Sequence, residues 1–222
     1  MRAVPLVDAD LLIYNCCAGN KGNNDFIQMV EAAQNFIDWI EQMFEENARL
    51  FLTGKDNFRY KVATIQPYKG NRANKPRPRH FKALREYLVD WHHAEVIDGF
   101  EADDALSSLH NTKDTVLVTY DKDLKQCPGW YFNTRNNELK YISQYEADFF
   151  FWCQMIVGDT SDHVRAIDGL GEKKAPKLLI DKDVKEMEEV VRGLYDKQYG
   201  ADGPRAFNEI YQLLRLKTDI YK

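Results

Sequence analysis

The sequence predicts an α/β fold in which a central, mostly parallel sheet is flanked by helices. Short apolar segments alternate along the chain with segments whose apolar residues recur at helical spacing. The clearest strands are VPLVD near the start and TVLVTYD, whose composition is typical of a strand buried at a sheet centre. Such alternation favours parallel strands, because each helix carries the chain back across one face of the sheet.

The elements before residue 120 follow this pattern in order. VPLVD ends at Asp8, and LLIYNCC then predicts a helix. Residues 25 to 47 predict an amphipathic helix that covers one face of the sheet. ARLFLTG predicts a strand that stops at Gly54, AEVIDGF a further strand, and EADDALSSLH the helix that precedes TVLVTYD.

Residues 66 to 90 interrupt the alternation. Pro67, Gly70, Pro76 and Pro78 break any long helix here, so the segment predicts a mobile loop or a partly helical arch. Residues 68 to 86 contain seven basic residues and one acid, although the whole chain has a net charge of −5. A basic segment on an acidic body indicates a phosphate-contacting element beside a carboxylate-rich centre.

The remainder of the chain predicts a hairpin and then helices. GWYFNTRNNELKYIS reads as the hairpin, and Ser143 as the cap of the helix QYEADFFFWCQMIVG. From Gly158 onward we expect short helices joined by glycines. The predicted organisation is therefore an α/β core over residues 1–157, including the basic arch at 66–90, and a helical region over 158–222.

Composition places the chain among ordinary globular proteins of the cytoplasm. Of its 222 residues 44% are hydrophobic and 29% charged, and no stretch approaches the roughly 20 apolar residues that cross a bilayer. The first residues carry charge and a proline too early for a signal peptide. The cysteines lack zinc-site spacing and are predicted to be reduced, mostly buried thiols, namely Cys16, Cys17, Cys127 and Cys153.

Acidic residues stand at the ends of predicted strands and at the start of a predicted helix, namely Asp8, Glu101, Asp103, Asp104, Asp121 and Asp123. Sites in open parallel sheets form outside the carboxyl ends of the strands, so these acids should converge. Asp159 and Asp162 in GDTSD repeat the three-residue spacing of Glu101 and Asp104. Clustered carboxylates repel unless cations neutralise them, and oxygen ligands without His or Cys select Mg²⁺ or Mn²⁺.

Each acid also has a purely structural interpretation. Asp10 precedes LLIYNCC and is better explained as a helix N-cap than as a metal ligand. Asp103 is equally compatible with a favourable charge at a helix start, and Asp121 with a turn. Independent capping roles would not by themselves place acids at the ends of successive strands, so the set as a whole favours a metal site.

Five motifs in order resemble the 5′ nuclease superfamily, which includes flap endonucleases, bacteriophage-type 5′→3′ exonucleases and the 5′-nuclease domain of DNA polymerase I. They are VDADLLIY, NFR with PYKGNR, EADDALSSL, TYDKDL and VGDTSDHVRAIDGLGEKKAPKLL, and they span about residues 4 to 180. The resemblance implies a PIN-like nuclease core with a basic arch and a C-terminal helix-hairpin-helix. It also implies a Mg²⁺-dependent enzyme of DNA replication or repair that hydrolyses DNA near 5′ ends.

The resemblance assigns roles to particular residues. It makes eight acids the ligands of two Mg²⁺ ions for which Mn²⁺ substitutes, namely Asp8, Glu101, Asp103, Asp104, Asp121, Asp123, Asp159 and Asp162. It gives Lys69 and Arg72 catalytic roles and places K⁺ at the helix-hairpin-helix. The DNA-binding residues that it implies are Arg59, Tyr68, Lys75, Arg77, Arg79, Gly169, Gly171, Lys173 and Lys174.

The chain departs from the family at one place. The second strand usually ends with an Asp, whereas here Thr53, Gly54 and Lys55 stand there and Asp56 is displaced. The expected partner is DNA with 5′ ends, flaps or nicks, with RNA primer strands included, bound by a monomer in the cytoplasm, or in the host cytoplasm for a bacteriophage protein. Two alternatives remain, a PIN-like ribonuclease and a structure-specific DNA-binding protein with a vestigial metal site.

Overall fold

The computed structural model describes residues 1–18, 25–72 and 75–221, which form two compact units. The first unit comprises Met1–Asp56, Pro76–Ile142 and Lys217–Lys222, and the second comprises Asn57–Lys75 and Ser143–Leu216. This division differs from the predicted boundary after residue 157. The basic segment is shared between the units, and the last residues return to the first one.

The described residues contain eight strands and nine α-helices. The strands are β1 (Val4–Asp8), β2 (Arg49–Thr53), β3 (Glu95–Ile97), β4 (Thr115–Thr119), β5 (Gly129–Asn133), β6 (Glu138–Ile142), β7 (Gly158–Asp159) and β8 (Val164–Arg165). The helices are α1 (Ala9–Ala18), α2 (Phe26–Phe44), α3 (Arg59–Val62), α4 (Phe81–His92), α5 (Ala102–Leu109), α6 (Gln144–Val157), α7 (Ala175–Leu179), α8 (Val184–Tyr199) and α9 (Gly203–Leu214).

The first unit is built on a six-stranded sheet in the order β3-β2-β1-β4-β5-β6. The strands from β3 to β5 run parallel to their neighbours, and β6 pairs antiparallel with β5. This confirms the predicted mostly parallel sheet and the predicted hairpin. The carboxyl ends of β1 and β4 are therefore neighbours, which brings the residues that follow these strands to one edge.

Helix α4 lies within the segment predicted as a mobile loop or partly helical arch. It starts three residues after Pro78, the last proline of that segment, and it runs for 12 residues. Phe81, Leu84 and Leu88 recur at helical spacing and are buried in the core of the first unit. This apolar face stabilises a regular helix despite the prolines before it.

The second unit packs its helices around one apolar core, to which Phe151, Met155, Tyr195 and Phe207 contribute. Ser143 caps α6 as predicted, in a capping box with Glu146. The short antiparallel pair of β7 and β8 was not predicted, because two-residue strands leave no periodic signal. No helix in residues 1–18, 25–72 and 75–221 is long and apolar enough to cross a membrane.

His110, directly after α5, gives the first unit a specific pH dependence. Its Nδ1 lies 2.8 Å from the Thr115 hydroxyl. That hydroxyl donates its hydrogen to the Asn111 carbonyl, so its oxygen accepts a hydrogen bond from the neutral imidazole. Burial lowers the pKa of His110 to about 4, against partial opposition from the Pro128 carbonyl. The resulting stability is present above pH 6.5 and is lost as the pH falls from 6.5 towards 4.

We expect acidification from pH 7.5 to 5.5 to remove about 1.3 kcal/mol of stability through His110 alone. His110→Asn, which keeps a donor near the Nδ1 position, should lack this component of the pH dependence of the melting temperature. His93→Asn is the matched control, because His93 is exposed and has φ 52°, a conformation that asparagine accepts. Parallel pH profiles for wild type and His110→Asn would contradict the prediction.

Candidate functional site

The predicted acids of the first unit gather at the carboxyl edge of the sheet. Asp8 is the last residue of β1, and its side chain is buried. Asp121 follows β4, the strand beside β1, and caps the short 3₁₀ helix that contains Asp123. Glu101 and Asp103 lie at the start of α5. The topology thus delivers acids from three separate segments to one place, as the sequence predicts.

The pKa values of these acids reveal one electrostatic cluster. The pKa of Asp8 is raised to about 8, first by burial and then by the charges of Asp10 and Asp121. The pKa of Asp103 is raised well above its usual value by burial and then by Asp8, Asp121, Glu101 and Asp123. Asp8 and Asp103 are therefore costly to ionise beside their neighbours, so the cluster favours a bound cation.

Local hydrogen bonds explain why aspartates occupy the strand ends. Asp8 Oδ1 accepts from the Leu11 backbone N–H at 3.1 Å, so Asp8 itself caps α1. Asp121 Oδ1 accepts from the backbone N–H of Asp123 at 2.9 Å. The prediction that Asp10 is the N-cap is therefore wrong, since Asp10 lies inside α1 and its Oδ2 accepts from the Thr53 N–H at 2.8 Å.

Asp104 differs from the other acids of the cluster. It is completely buried, and its Oδ2 accepts from the Glu101 N–H at 3.0 Å as part of the capping box of α5. Its Oδ1 accepts from the Lys217 N–H at 2.9 Å. Both oxygens of Asp104 therefore bind backbone donors, and its place among the metal ligands stays a prediction. Asp104 joins the start of α5 to the residues after α9.

The donor chemistry of the cluster fits a hard divalent cation. The acids that raise the pKa of Asp103 offer only carboxylate oxygens, a set that suits Mg²⁺ or Mn²⁺ better than zinc. In the described part of the chain, no three His, Cys, Asp or Glu side chains already stand closely enough to hold one ion.

Two tyrosines adjoin the cluster and were missed by sequence reasoning. The Tyr131 hydroxyl donates to the backbone carbonyl of Asp121 at 3.0 Å, and burial followed by the nearby carboxylates raises its pKa. The Tyr120 ring lies under the Arg135 guanidinium at 4.4 Å. The position of Tyr131 on β5, beside β4, was the available signal, because residues of adjacent parallel strands lie side by side.

The second unit has its own cluster of predicted functional residues, centred on Asp162. The Asp162 carboxylate accepts from the Tyr68 hydroxyl at 2.6 Å and pairs with Lys69 at 3.7 Å and Arg72 at 3.1 Å. Arg72 Nε also donates to the carbonyl of Ser161 at 3.0 Å. Segment PYKGNR is thus bound to loop GDTSD by side-chain contacts.

Asp159 organises the same loop from a buried position. Its Oδ1 accepts from the backbone N–H and hydroxyl of Ser161 at 2.7 and 2.6 Å and from the backbone N–H of Asp162 at 3.0 Å. These contacts explain the spacing of the two acids in GDTSD. Both belong to the second unit, whereas the other six predicted ligands belong to the first.

Comparison with known proteins gives two relatives in sequence, and no family model matches the chain. DNA polymerase I of Caldicellulosiruptor bescii is 28% identical over 154 residues, which are 58% of this chain and 18% of the polymerase. A 5′-3′ exonuclease of Mycoplasmopsis pulmonis is 32% identical over 114 residues, 45% of this chain and 38% of the exonuclease. The chain therefore spans less than half of the length of either relative.

Solved structures match over nearly the whole chain. The flap endonuclease of bacteriophage T5, solved with DNA and metal ions, has a TM-score of 0.62 at 16% identity and covers 96% of this chain and 99% of its own. The Rad2 catalytic core, solved with DNA substrate, has a TM-score of 0.56 at 10% identity and covers 96% of this chain and 73% of its own. Human GEN1, solved with Holliday junction DNA, has a TM-score of 0.57 at 12% identity and covers 99% of this chain and 62% of its own.

The chain has the fold of the 5′ nuclease superfamily. This confirms the resemblance found in the motifs and the predicted α/β class. Where the sequence predicts a helix-hairpin-helix, the structure has β8 before the glycine turn and the five-residue helix α7 after it. Gly169 has φ +73°, a conformation that glycine adopts without strain, and Lys174 Nζ donates to its carbonyl at 2.9 Å.

Arg59 requires a correction. The resemblance implied a phosphate contact, but its side chain is buried in the second unit of this 5′ nuclease fold. Its Nε donates to the carbonyl of Leu213 at 2.9 Å and its guanidinium lies 4.8 Å from the centre of the Phe58 ring. A guanidinium committed to the end of α9 does not reach a phosphate, so Arg59 is a structural residue.

Tyr68 requires a similar correction. Its ring is only 4% exposed and belongs to the apolar core of the second unit, so it is not available to stack on a base. Tyr60, whose ring packs edge-on against Tyr68 at 5.6 Å, is 59% exposed. Helix α3 is only four residues long, so the sequence around Tyr60 shows no periodic pattern.

The other predicted DNA-binding residues are exposed, as phosphate contacts require, namely Lys75, Arg77, Arg79, Gly169, Gly171, Lys173 and Lys174. Asp56, the displaced acid after β2, is exposed and has φ 59°. It is not among the charges that raise the pKa of Asp8 or Asp103.

Proposed function

We propose that the chain is a Mg²⁺-dependent 5′ nuclease that hydrolyses phosphodiesters of DNA near 5′ ends, flaps or nicks. The observation that carries this proposal is the set of acids brought together by the ends of β1 and β4 and the start of α5, where Asp8 and Asp121 are among the charges that raise the pKa of Asp103. Perturbed acids in a shared cleft are typical of catalytic centres. The fold and the two relatives support the same function.

Five carboxylates are the proposed metal ligands, Asp8, Glu101, Asp103, Asp121 and Asp123. Bound divalent cations would supply Lewis-acid charge to the scissile phosphate. The backbone bonds of Asp8 and Asp121 fix these two carboxylates at the strand ends. Water activated at this centre would attack phosphorus in line and yield a 5′-phosphate and a 3′-hydroxyl.

The basic segment would bind the phosphates of the substrate. Lys69 and Arg72 carry their positive charges at partly exposed positions beside Asp162. A fixed cation beside a phosphate stabilises the charge that develops during the reaction, by a few kcal/mol in a site that excludes water. Asp162 keeps both side chains in place, which reduces the entropy lost when a phosphate binds.

Product mapping tests the proposal directly. The wild-type chain should cleave a set of 5′-labelled flap, nicked and blunt DNA substrates with Mg²⁺, and EDTA should abolish cleavage. Cleavage of RNA alone would favour the PIN-like ribonuclease. Structure-dependent DNA binding without cleavage in Mg²⁺ or Mn²⁺ would overturn the nuclease proposal in favour of a binding protein.

Lys69→Ala and Arg72→Ala should each lower the single-turnover cleavage rate by about 10- to 100-fold. Affinity for the same DNA in Ca²⁺ should change by less than about threefold, because many other basic residues share phosphate binding. Lys61→Ala is the control, since Lys61 is an exposed lysine of α3 in the same unit. If both variants lost affinity for DNA to the same extent while their single-turnover rate stayed unchanged, Lys69 and Arg72 would only tether the substrate.

A further inference from the structure

Thr53, the last residue of β2, binds a different helix with each of its three polar groups. Its hydroxyl oxygen accepts from the Ala102 N–H at 3.0 Å, at the start of α5. Its backbone N–H donates to Asp10 Oδ2 of α1 at 2.8 Å. Its carbonyl accepts from the Arg85 guanidinium of α4 at 2.7 Å. The end of β2 is therefore a junction of α1, α4 and α5.

Arg85 and Asp10 close this junction with an ion pair. Arg85 Nη1 donates to Asp10 Oδ1 at 3.3 Å, and the two side chains are 20% and 24% exposed. Such a partly buried pair, with further bonds to the Thr53 backbone on both sides, is more rigid than a surface pair. It also sets a positive charge beside Asp10, whose negative charge acts on Asp8 of the acid cluster.

The two helices joined through Thr53 have different proposed tasks. Helix α4 continues the basic segment, whereas α5 carries Asp103 and begins directly after Glu101. Because the Ala102 N–H lies between these two acids in the chain, its bond to Thr53 determines where the first turn of α5 stands. Arg85 belongs to the basic segment by sequence, but its contacts are to protein groups.

We infer that Asp10, Thr53 and Arg85 are positioning residues that couple the basic helix α4 to the acid-bearing start of α5. The inference rests on the proposed nuclease function and deepens it. Through Arg85 and Thr53, the position of α4 is thus tied to the position of Glu101 and Asp103. Thr53 thus acts through its hydrogen bonds, because its side chain has no carboxylate that could bind a metal ion.

Thr53→Val and Thr53→Ser test the inference as a pair. Valine keeps the β-branched shape that suits a strand and removes the hydroxyl acceptor, whereas serine keeps the acceptor. Thr53→Val should lower kcat about tenfold with little change in KM, since the loss of one buried hydrogen bond has an effect of this size. Thr53→Ser should stay within about twofold of wild type.

Arg85→Gln should give a similar loss of about tenfold, because a single neutral amide does not replace the two guanidinium bonds. Arg49→Gln is the matched control. It makes the same chemical change at the first residue of β2, where Arg49 forms an exposed pair with Glu95 at 2.6 Å. The control should retain the wild-type rate, and a comparable loss in Arg49→Gln would overturn the role of Arg85.

Two readouts do not depend on cleavage. Hydrogen exchange at the Ala102 amide should accelerate at least about tenfold in Thr53→Val and Arg85→Gln, and Ca²⁺ should raise the melting temperature of these variants less than that of wild type. If wild type does not cleave DNA, the nuclease proposal fails, and these two readouts still decide whether the coupling exists. The inference would be overturned if Thr53→Val kept the wild-type kcat, the wild-type exchange rate at the Ala102 amide and the wild-type rise in melting temperature with Ca²⁺.

Discussion

Asp103→Asn is expected to abolish cleavage and to stabilise the metal-free protein in one step. Asp103 would hold a cation worth several kcal/mol to the reaction, so the rate should fall by about 10³-fold. Without metal, burial and four neighbouring acids raise the pKa of Asp103. An acid whose folded-state pKa is raised lowers stability increasingly as the pH rises above its unfolded pKa. The stabilisation by asparagine should therefore grow between pH 5 and pH 8.

Calorimetry without metal and single-turnover cleavage with Mg²⁺ measure the two effects. Asp114→Asn makes the same chemical change at an exposed position of the same unit and should alter neither. Asp104→Asn is the informative contrast, because Asp104 accepts backbone N–H groups of Glu101 and Lys217. It should lower the melting temperature, whereas Asp103→Asn raises it. Near-normal cleavage by Asp103→Asn would refute its assignment as a ligand.

Arg59→Met is expected to destabilise the second unit strongly and to leave the salt dependence of DNA binding unchanged. Methionine fills much of the volume but removes the guanidinium that donates to the buried Leu213 carbonyl and to the partly buried Arg215 carbonyl. Two lost bonds to a charged group correspond to about 3 kcal/mol. For a chain of this size the melting temperature should fall by about 6 to 12 °C.

The salt dependence separates a structural role from a phosphate contact. Below the melting temperature, the slope of log affinity against log salt should be the same for Arg59→Met and wild type. Lys75→Ala should reduce that slope by about 1, because Lys75 is exposed and free to meet a phosphate. Lys61→Met in the same helix is the stability control. A reduced slope in Arg59→Met would restore the phosphate contact that the family resemblance implied.

The amino-acid sequence alone was enough to predict the strands and helices of the parallel sheet and the gathering of acids at one edge of that sheet. Both depend on local information. Apolar periodicity distinguishes strand from helix, and parallel strands necessarily end at the same edge. Asp8 and Asp121 could therefore be placed from their positions after β1 and β4. The five motifs then led to the nuclease fold, which the solved structures bear out.

Only the tertiary structure decided which of these side chains are available to a ligand. Asp103 and Asp104 are adjacent acids on one helix. They differ because Asp104 accepts from the backbone N–H of Lys217, which is 113 residues away from Asp104 in the chain. Arg59 stands in a motif that resembles a phosphate contact, and its partner at Leu213 is 154 residues away. Hydrogen-bond partners so distant in sequence leave no periodic or compositional trace, because the fold alone brings them together.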